Sequence, residues 1–314
     1  MTGQLNSLVV VGANGFIGRH LMQAAPEWAA DVVAVTRGDT IGTHQVRVVR
    51  GNVADPAAIQ ERLPAGSTVV NLAHAQSATA DANLAIADGL AALCRAIDAR
   101  RLVHVSTATV IGASQDLWIT EETPCRPLTP YQQGKLAVEQ RLRDRCRVPL
   151  VVLRPTAVFG STGRNLRKLA HDLQSRPAIE NYARACLFGR RAMNLVPVET
   201  VLSAIAFAAR SDRAIIDQLY LVAADEEPAN NFADVERLLR IGLGLPPTAV
   251  PPVRLPASVL AAALKLTGRF ALDPRTRFSS NRLLRAGSLP VVPFVGALTR
   301  FAAELRSGSP GSDQ

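Results

Sequence analysis

A short apolar run that leads directly into a glycine-rich turn is the feature that most constrains the fold of this chain. Residues 8–11 are apolar throughout, as expected of a strand buried on both faces. A Gly-x-x-Gly-x-x-Gly turn follows at 12–18, and a helix is predicted over 19–25. In this context the glycines permit the tight turn, the approach of a pyrophosphate to backbone N–H groups, and close packing of helix on sheet. We expect a dinucleotide here, contacted by Gly12, Asn14, Gly15, Phe16, Ile17 and Gly18.

Apolar runs continue to alternate with helical patterns over the first hundred residues. Further strands are predicted at 32–35, 46–49, 68–72 and 102–105, and leucines at helical spacing predict a helix over 81–100. Such strand–helix repeats predict an α/β fold of the Rossmann type, in which a doubly wound parallel sheet binds ligands at the C-terminal ends of its strands.

Several candidate residues follow those predicted strand ends. We expect Asn52 and Val53 to lie beside the adenine of the cofactor, and Leu72 and Ala73 to line its site as well. His74 either narrows the cleft and touches substrate or is a hydrogen-bonded wall residue. Asp55, followed by a proline, is a predicted helix N-cap.

Arg37, at the end of the second predicted strand, bears on the choice of cofactor. An acidic residue at this place grips the adenosine ribose of NAD, whereas an arginine suits the 2′-phosphate of NADP. The sequence therefore favours NADP(H) over NAD(H), the alternative being a solvated loop arginine.

Composition excludes several other classes of protein. The net charge is +9, but the arginines are scattered and aromatic residues make up only 4%, so we expect no nucleic-acid partner. The four cysteines are far apart, which disfavours a metal site and a disulfide framework and is typical of a reducing, cytoplasmic setting. We recognise neither a signal peptide nor an apolar stretch long enough to cross a membrane.

Tyr131 and Lys135 lie four residues apart, which places them one turn from each other on a helix face. An ammonium group beside a phenol favours the phenolate and is expected to lower the tyrosine pKa, as an acid or base acting near neutrality requires. The alternative is a surface tyrosine packed on a lysine stem.

Taken with these two features, three further segments resemble the extended short-chain dehydrogenase/reductase family, and within it the NAD-dependent epimerase/dehydratase group. The segments are Val105-Ser106-Thr107-Ala108-Thr109-Val110-Ile111-Gly112, Arg154-Pro155-Thr156-Ala157-Val158-Phe159-Gly160 and Asn194-Leu195-Val196-Pro197-Val198-Glu199-Thr200-Val201. The resemblance spans roughly residues 7–245 and implies an enzyme that works mostly on nucleotide sugars.

The resemblance also implies a role for each matched residue. Tyr131 would be the catalytic acid/base, Lys135 would bind the nicotinamide ribose, and Thr107 would hydrogen-bond the reacting oxygen, with Ser106 a weaker candidate. Pro155 and Val158 would line the cofactor site. The 4,6-dehydratases of the group carry an Asp-Glu pair where this chain has Ala and Thr at 108–109, so dehydration by that route is not expected.

The second half of the chain is less regular. We divide the chain into a Rossmann domain, residues 1–160 with returns near 194–224, a smaller substrate-binding lobe over 161–306, and a disordered tail over 307–314. Two basic clusters, Arg164 with Arg167 and Lys168, and Arg190 with Arg191, are candidates to bind a substrate diphosphate or are solvated faces. Residues 256–306 form either a cap over the cleft or an amphipathic surface for a membrane or partner.

Three hypotheses about function follow. The first is an NAD(P)-dependent epimerase or reductase of a nucleotide-activated sugar. The second is an NADP-dependent reductase or dehydrogenase of a non-sugar ketone or alcohol, such as a steroid- or flavonoid-like compound. The third is a non-catalytic NADP-binding sensor. The family commonly dimerises through helices of the Rossmann half, so a homodimer is a further expectation of the resemblance.

Overall fold

A computed structural model describes residues 4–38, 45–75, 80–211, 218–248, 250–253, 255–266, 272–288 and 290–307. Its strands are β1 (Leu5–Val11), β2 (Ala29–Thr36), β3 (Val46–Arg50), β4 (Thr68–Asn71), β5 (Arg101–Val105), β6 (Trp118–Ile119), β7 (Leu150–Pro155), β8 (Ala157–Phe159), β9 (Leu195–Pro197), β10 (Gln218–Val222) and β11 (Arg277–Phe278). Its α-helices are α1 (Phe16–Ala24), α2 (Ala80–Ala96), α3 (Pro130–Arg145), α4 (Arg167–Ser175), α5 (Ala178–Phe188), α6 (Val198–Arg210), α7 (Phe232–Leu243), α8 (Ala257–Leu266), α9 (Asn281–Ala286) and α10 (Phe294–Arg306).

The main sheet confirms the predicted Rossmann-type fold. Among the described residues it has seven parallel strands in the order β10-β7-β5-β4-β1-β2-β3. The chain runs outward from β1 to β3 and then returns to the other side of β1 at β4. The crevice between β1 and β4 is therefore the topological switch point, where open α/β sheets bind their ligands.

Each face of the sheet is covered by helices, which is why its inner strands are largely apolar on both sides. On one face the strand residues pack against Leu21 of α1 and Ile205 of α6. On the other face they pack against Leu90 of α2 and Leu142 of α3. Helix α3 is thus held directly on the sheet.

A further apolar cluster lies in the second half of the chain. It joins α4, α7 and α10 around Phe159, Phe294 and Phe301, whose rings meet edge to face at centroid distances of 5.8 and 6.0 Å. The small sheets β8–β9 and β6–β11 accompany it. Helix α7 covers Phe232–Leu243, and helix α8 covers Ala257–Leu266 within the segment 256–306.

Several predicted boundaries were wrong. Helix α1 begins at Phe16, so the last glycine turn residues already form its first turn. Helix α2 ends at Ala96, and Asp98 just beyond it has a φ of 48°, which a helix cannot continue through. Asp55 caps no helix with its side chain, and two 3₁₀ turns, over Pro56–Ala58 and Gln60–Arg62, follow it in place of the predicted helix. Residues 308–314 of the predicted tail lie outside the described residues. Among the described helices, we find none with the length and apolar character of a membrane span.

Candidate active site

A cavity of about 1100 Å³ opens at the C-terminal edge of the sheet, beside the switch point. Its lining combines residues of the glycine turn, the ends of β4, β5 and β7, the start of α3 and the loop before α4. The predicted residues that it brings together are Asn14, Gly15, Phe16, Ile17, Gly18, Leu72, His74, Thr107, Tyr131, Lys135, Pro155, Val158 and Arg164.

The three glycines of the turn are required for different reasons. Gly12 has a φ of +88°, and a Cβ there would lie 2.6 Å from the backbone nitrogen of Ala73. A Cβ on Gly18 would lie 2.5 Å from the carbonyl oxygens of Gly12 and Ala13. A Cβ on Gly15 would meet nothing closer than 3.4 Å, so the fold itself leaves room there. The backbone of Gly15 is therefore open to close approach by a ligand.

The turn is tied to the end of β2. Asn14 donates from Nδ2 to Oγ1 of Thr36 at 2.9 Å, and the guanidinium of Arg19 donates to the carbonyl of Asn14 at 3.0 Å. Arg37 follows Thr36 with an exposed side chain. These contacts place the end of β2 beside the first turn of α1, where the adenosine half of a dinucleotide would lie.

Five of the predicted cofactor residues do not line the cavity: Gly12, Arg37, Asn52, Val53 and Ala73. Asn52 is exposed and accepts from the backbone nitrogen of Ala54 at 3.1 Å. Val53 is buried in the core on the α2 side of the sheet. Ala73 donates its N–H to Oδ1 of Asn71 at 3.0 Å.

Helix α3 carries the tyrosine and lysine. Thr129 and Gln132 form a capping box and Pro130 fills the first turn, so the start of the helix is well defined next to the cavity. Tyr131 is 49% exposed, whereas Lys135, one turn further on, is 6% exposed. The phenol thus faces the open cavity, and the lysine stem lies in its wall.

The ionisation of this pair differs from the expectation. Burial raises the pKa of Tyr131, and no influence of Lys135 opposes it. Burial also lowers the pKa of Lys135 to about 8, against the opposing effect of the Glu139 carboxylate. Burial therefore shifts the phenol pKa upward, opposite to the lowering by the ammonium that the spacing predicts.

His74 packs against the catalytic candidate. Its ring meets that of Tyr131 edge to face, with centroids 5.3 Å apart and an interplanar angle of 84°. Burial, together with the charge of Lys135, lowers the pKa of His74 to about 4 despite a hydrogen bond with Asn83. A neutral imidazole therefore forms one wall beside the phenol.

Two threonines stand at the end of β5. Thr107 caps the short 3₁₀ helix Ala108–Ile111 by accepting from the backbone nitrogen of Thr109 at 3.3 Å. The two hydroxyl oxygens are 3.0 Å apart, and both residues line the cavity. Ser106, the weaker candidate, donates instead to buried Glu139 at 2.5 Å. The arrangement leaves two adjacent hydroxyls, at 107 and 109, on the cavity surface.

The loop before α4 closes another side of the cavity. Cβ atoms at Gly160 and Gly163 would lie 3.2 and 2.8 Å from the Phe16 ring, so the loop packs tightly on the glycine turn. Arg167 donates to the carbonyls of Gly163 and Ser161, and Asn165 donates to the carbonyl of Val158 at 2.7 Å. The loop is therefore held by side chains that reach its own backbone.

Sequence reasoning missed part of this lining. The residues it did not assign are Arg19, Val105, Thr109, Thr156, Ala157, Thr162 and Asn165, whereas Arg167 and Ser106 of the lining were already candidates. For Arg19 and Thr109 a signal existed, because each lies within two residues of an assigned position. The residues of the loop before α4 could be found only from the three-dimensional path of that loop.

The structure places Arg190 and Arg191 apart from this lining. Arg190 lies 3.7 Å from the carboxylate of Asp234. The guanidinium of Arg191 stacks over the ring of Phe188 at 5.7 Å. Of the two basic clusters, only the one before α4 reaches the cavity.

Comparisons with known proteins identify the family of this chain. The sequence profile of the NAD dependent epimerase/dehydratase family matches residues 8–223. The chain is 29% identical over 189 residues to dTDP-4-dehydrorhamnose reductase of Mycobacterium tuberculosis (strain ATCC 25618 / H37Rv), a match that covers 54% of this chain and 58% of that protein. It is 24% identical over 180 residues to 2-alkyl-3-oxoalkanoate reductase of Shewanella oneidensis, covering 51% of this chain and 46% of that protein.

Among solved structures, UDP-glucuronic acid 4-epimerase from Bacillus cereus in complex with NAD superposes with a TM-score of 0.69 at 18% identity. The superposition covers 97% of this chain and 99% of that one. The likeness extends over both halves of the chain, so the second half shares the fold as well. The chain belongs to the NAD dependent epimerase/dehydratase family.

Proposed function

We propose that the protein is an NAD(P)-dependent epimerase or reductase that acts on a nucleotide-activated sugar, with Tyr131 as the acid/base. One observation carries the proposal: a single cavity brings together the glycine turn, the hydroxyls of Thr107 and Thr109, the phenol of Tyr131 and the ammonium of Lys135. Hydride transfer at a carbon requires a proton to move at the attached oxygen, and these groups suit that task.

The protonation states favour donation of a proton. When bound, the nicotinamide cofactor would supply or accept the hydride. The protonated phenol of Tyr131, whose pKa is raised by burial, would donate its proton to a carbonyl oxygen as that carbon is reduced. Lys135 would balance the negative charge that develops on the phenol oxygen, and Thr107 would hold the carbonyl oxygen in place. Oxidation of the alcohol runs through the same contacts in reverse.

The charge of the lining supports a phosphorylated ligand. Arg19, Lys135, Arg164 and Arg167 lie on the cavity, whereas no Asp or Glu is among its described lining residues. Arg164 is exposed. Phosphate groups of both a dinucleotide and a nucleotide sugar would be stabilised in such a site. The name of the Mycobacterium tuberculosis relative, a dTDP-4-dehydrorhamnose reductase, is consistent with that class of substrate.

Substitution of the phenol tests the catalytic assignment. Tyr131→Phe should reduce kcat by about a hundredfold to ten-thousandfold, the range that general acid catalysis contributes, while the dissociation constant for NAD(P)H changes less than about threefold. Turnover would be followed by NAD(P)H absorbance with a dTDP-4-keto-6-deoxy sugar, and epimerisation by chromatography of UDP-glucose and UDP-galactose. Full activity of the variant on either substrate would contradict the role of Tyr131.

The end of β2 supports a preference for NADP(H). Arg37 is exposed and follows Thr36, whose hydroxyl accepts a hydrogen bond from Asn14 of the glycine turn. The guanidinium of Arg37 can bind a 2′-phosphate. Positions 36 and 37 hold no carboxylate that would accept hydrogen bonds from the ribose hydroxyls of NAD. Arg37→Glu should weaken NADPH binding at least tenfold and leave NADH binding within about threefold, measured by fluorescence titration. Equal affinity of the wild-type protein for both cofactors would overturn this preference.

A second candidate is the reduction of a non-sugar ketone. The observation that favours it is the likeness to 2-alkyl-3-oxoalkanoate reductase, together with apolar lining from Phe16, Ile17 and Leu72. Thermal shifts distinguish the two substrate classes, because a ligand that binds only the folded state raises Tm. With NADPH present, a shift with nucleotide sugars supports the first candidate, and a shift only with 3-oxoacyl or cyclic ketones supports the second.

A further inference from the structure

The 3₁₀ helix that follows β5 has one polar residue among its four, and that residue is on the active-site cavity. Ala108, Val110 and Ile111 are buried, each at most 2% exposed, whereas Thr109 is exposed and lines the cavity. The end of the helix is fixed by a backbone hydrogen bond of 2.7 Å from Arg126 to the carbonyl of Ile111. Thr109 is therefore held at the cavity wall by an element that is otherwise part of the core.

The side chain of Thr109 contacts the hydroxyl that the proposed reaction uses. Its oxygen lies 3.0 Å from Oγ1 of Thr107, within hydrogen-bonding distance. The same Thr107 oxygen accepts from the backbone nitrogen of Thr109 at 3.3 Å. A threonine hydroxyl has one proton to donate and two lone pairs that accept. When the Thr109 hydroxyl donates, both lone pairs of Thr107 are occupied, and the Thr107 proton is left for a third group.

A substrate carbonyl is the third group that this arrangement fits. A carbonyl oxygen accepts hydrogen bonds and cannot donate, so an oxygen bound at Thr107 selects the direction in which Thr109 donates to Thr107 and Thr107 donates to the ligand. Each hydrogen bond in such a chain polarises the next one. The effect is largest when negative charge develops on the reacting oxygen, because the donors are already aligned with it.

We propose that Thr109 is a positioning residue, which directs the Thr107 proton to the reacting oxygen and strengthens that hydrogen bond in the transition state. This role rests on the proposed function, since it concerns the same proton transfer. Thr109 acts through Thr107 and needs no contact of its own with the reacting atoms. Without the Thr109 hydroxyl, one lone pair of Thr107 is free, and its proton has to be oriented during the reaction.

A role of Thr109 in the fold alone predicts a different result. The cap of the 3₁₀ helix uses the backbone N–H of Thr109, which every residue except proline would keep. The side chain is exposed, so Thr109→Val removes the hydroxyl and retains the branched shape. The urea midpoint of unfolding should therefore be the same for Thr109→Val and for the wild-type protein.

The test measures kcat and KM with NADPH and whichever of the two proposed substrate classes the wild-type protein reduces. Thr109→Val should lower kcat about tenfold, as the loss of one hydrogen bond does. KM and the dissociation constant for NADPH should stay within about threefold, since the bond strengthens mainly in the transition state. Thr109→Ser keeps the hydroxyl and should restore kcat to within about threefold of the wild-type value.

A double variant distinguishes action through Thr107 from an independent contact. Thr107→Val loses the whole chain of donors and should lower kcat about a hundredfold. Adding Thr109→Val to it should lower kcat by no more than about twofold further, whereas independent losses would multiply. Thr120→Val is the matched control, because the Thr120 hydroxyl also accepts from the backbone nitrogen two residues on, at 3.3 Å, but lies outside the described lining of the cavity. Its kcat should not change.

The possible failures are distinct. Wild-type kcat in Thr109→Val, or losses that multiply in the double variant, would overturn the role of Thr109 while turnover by the wild-type protein still supports the proposed function. An equal loss of kcat in Thr109→Ser and Thr109→Val, or a lower urea midpoint for Thr109→Val, would show that position 109 acts through the fold and would overturn the role too. No turnover by the wild-type protein on either substrate class would overturn the proposed function, and this role with it.

Discussion

At the scale of single residues, packing requires two of the three glycines of the turn and does not require the third. Gly12 and Gly18 face backbone atoms at distances that no Cβ tolerates. Gly15 has a φ of −70° and a ψ of 170°, which alanine adopts without strain, and its nearest neighbour would be 3.4 Å away. Packing therefore does not require a glycine at position 15, whereas the proposed dinucleotide would.

Alanine substitutions at Gly15 and Gly18 should consequently have different effects. Gly15→Ala should leave the free energy of unfolding within about 0.5 kcal/mol and weaken NADPH binding at least tenfold, because a methyl group would block the pyrophosphate. Gly18→Ala should destabilise the protein by at least about 1 kcal/mol, since overpacking forces backbone shifts. Urea titration and fluorescence binding would measure the two effects. Unimpaired binding by Gly15→Ala would place the dinucleotide elsewhere.

The sequence predicts that a side chain lines the cavity where one local motif determines its position. It does not do so where the position depends on segments that are distant in the sequence. Tyr131 and Lys135 follow from helical spacing, and the structure places both on the cavity. The pKa of Tyr131 could not be predicted, because burial depends on neighbours such as His74 from another strand end. Asn165 was not predicted to line the cavity, because it reaches the cavity only through a loop that turns back over Phe16.

At the scale of elements, α3 is the part on which the candidate chemistry depends. Tyr131, Lys135 and Glu139 recur every four residues, so one face of the helix carries all three. Arg154 of β7 donates to both oxygens of Glu139, at distances from 2.7 to 3.2 Å, and both side chains are buried. Ser106 of β5 donates to the same carboxylate at 2.5 Å. The carboxylate therefore joins the helix to two strands beneath it.

Loss of that carboxylate should destabilise the protein and disturb the site. Glu139→Gln leaves the Arg154 guanidinium buried without its counter-charge, and breaking such a pair costs about 3–5 kcal/mol. Turnover should fall as well, because the Glu139 charge opposes the lowering of the Lys135 pKa by burial. Urea unfolding and kcat would be measured together.

The double variant Glu139→Gln, Arg154→Met is the control for that change. Removal of both charges should recover most of the lost stability, since an apolar replacement of a buried ion pair is often neutral. A single variant as stable as the wild-type protein would show that the pair does not hold α3 on the sheet.

Sequence patterns were sufficient to predict the strands of the sheet and insufficient to predict where the helices end. Strands such as β1 and β4 are largely apolar on both faces. They are therefore recognisable as buried strands whichever elements surround them. Helix ends depend on caps and on backbone turns, such as the left-handed Asp98 after α2, which composition does not reveal. The second half was predicted least well because its core joins helices from distant parts of the chain, around Phe159 and Phe301.

At the scale of the whole molecule, buried neutral histidines couple the fold to pH. His104 on β5 is 1% exposed, and its Nδ1 lies 2.9 Å from Nδ2 of Asn71. Burial lowers the pKa of His104 to about 3, and the charges of Lys135, His74 and Arg143 act in the same direction. Burial likewise lowers the pKa of His20, against the opposing charge of Glu199. These groups favour the neutral form only while the protein is folded.

Stability should therefore fall as the pH drops below about 6.5, the pKa of an unfolded histidine. In that range the unfolded chain binds more protons than the folded protein, by up to about 1.4 kcal/mol per pH unit for each histidine. Asp225 acts in the opposite sense, because burial raises its pKa to about 6, so its contribution to stability is lost as the pH rises through that value. His74 and His104 together should outweigh Asp225 between pH 6 and pH 4.

Urea unfolding at half-unit steps from pH 7 to pH 4 would measure this slope. His104→Gln keeps an acceptor for Asn71 but removes the titrating group, so its stability should fall less steeply with acidification than that of the wild-type protein. Asp225→Asn should make the fall steeper. His171→Gln, on an exposed position of α4, should keep the wild-type slope. If His104→Gln and His171→Gln have the same slope, burial does not lower the pKa of His104 in the folded protein, and His104 does not contribute to the pH dependence.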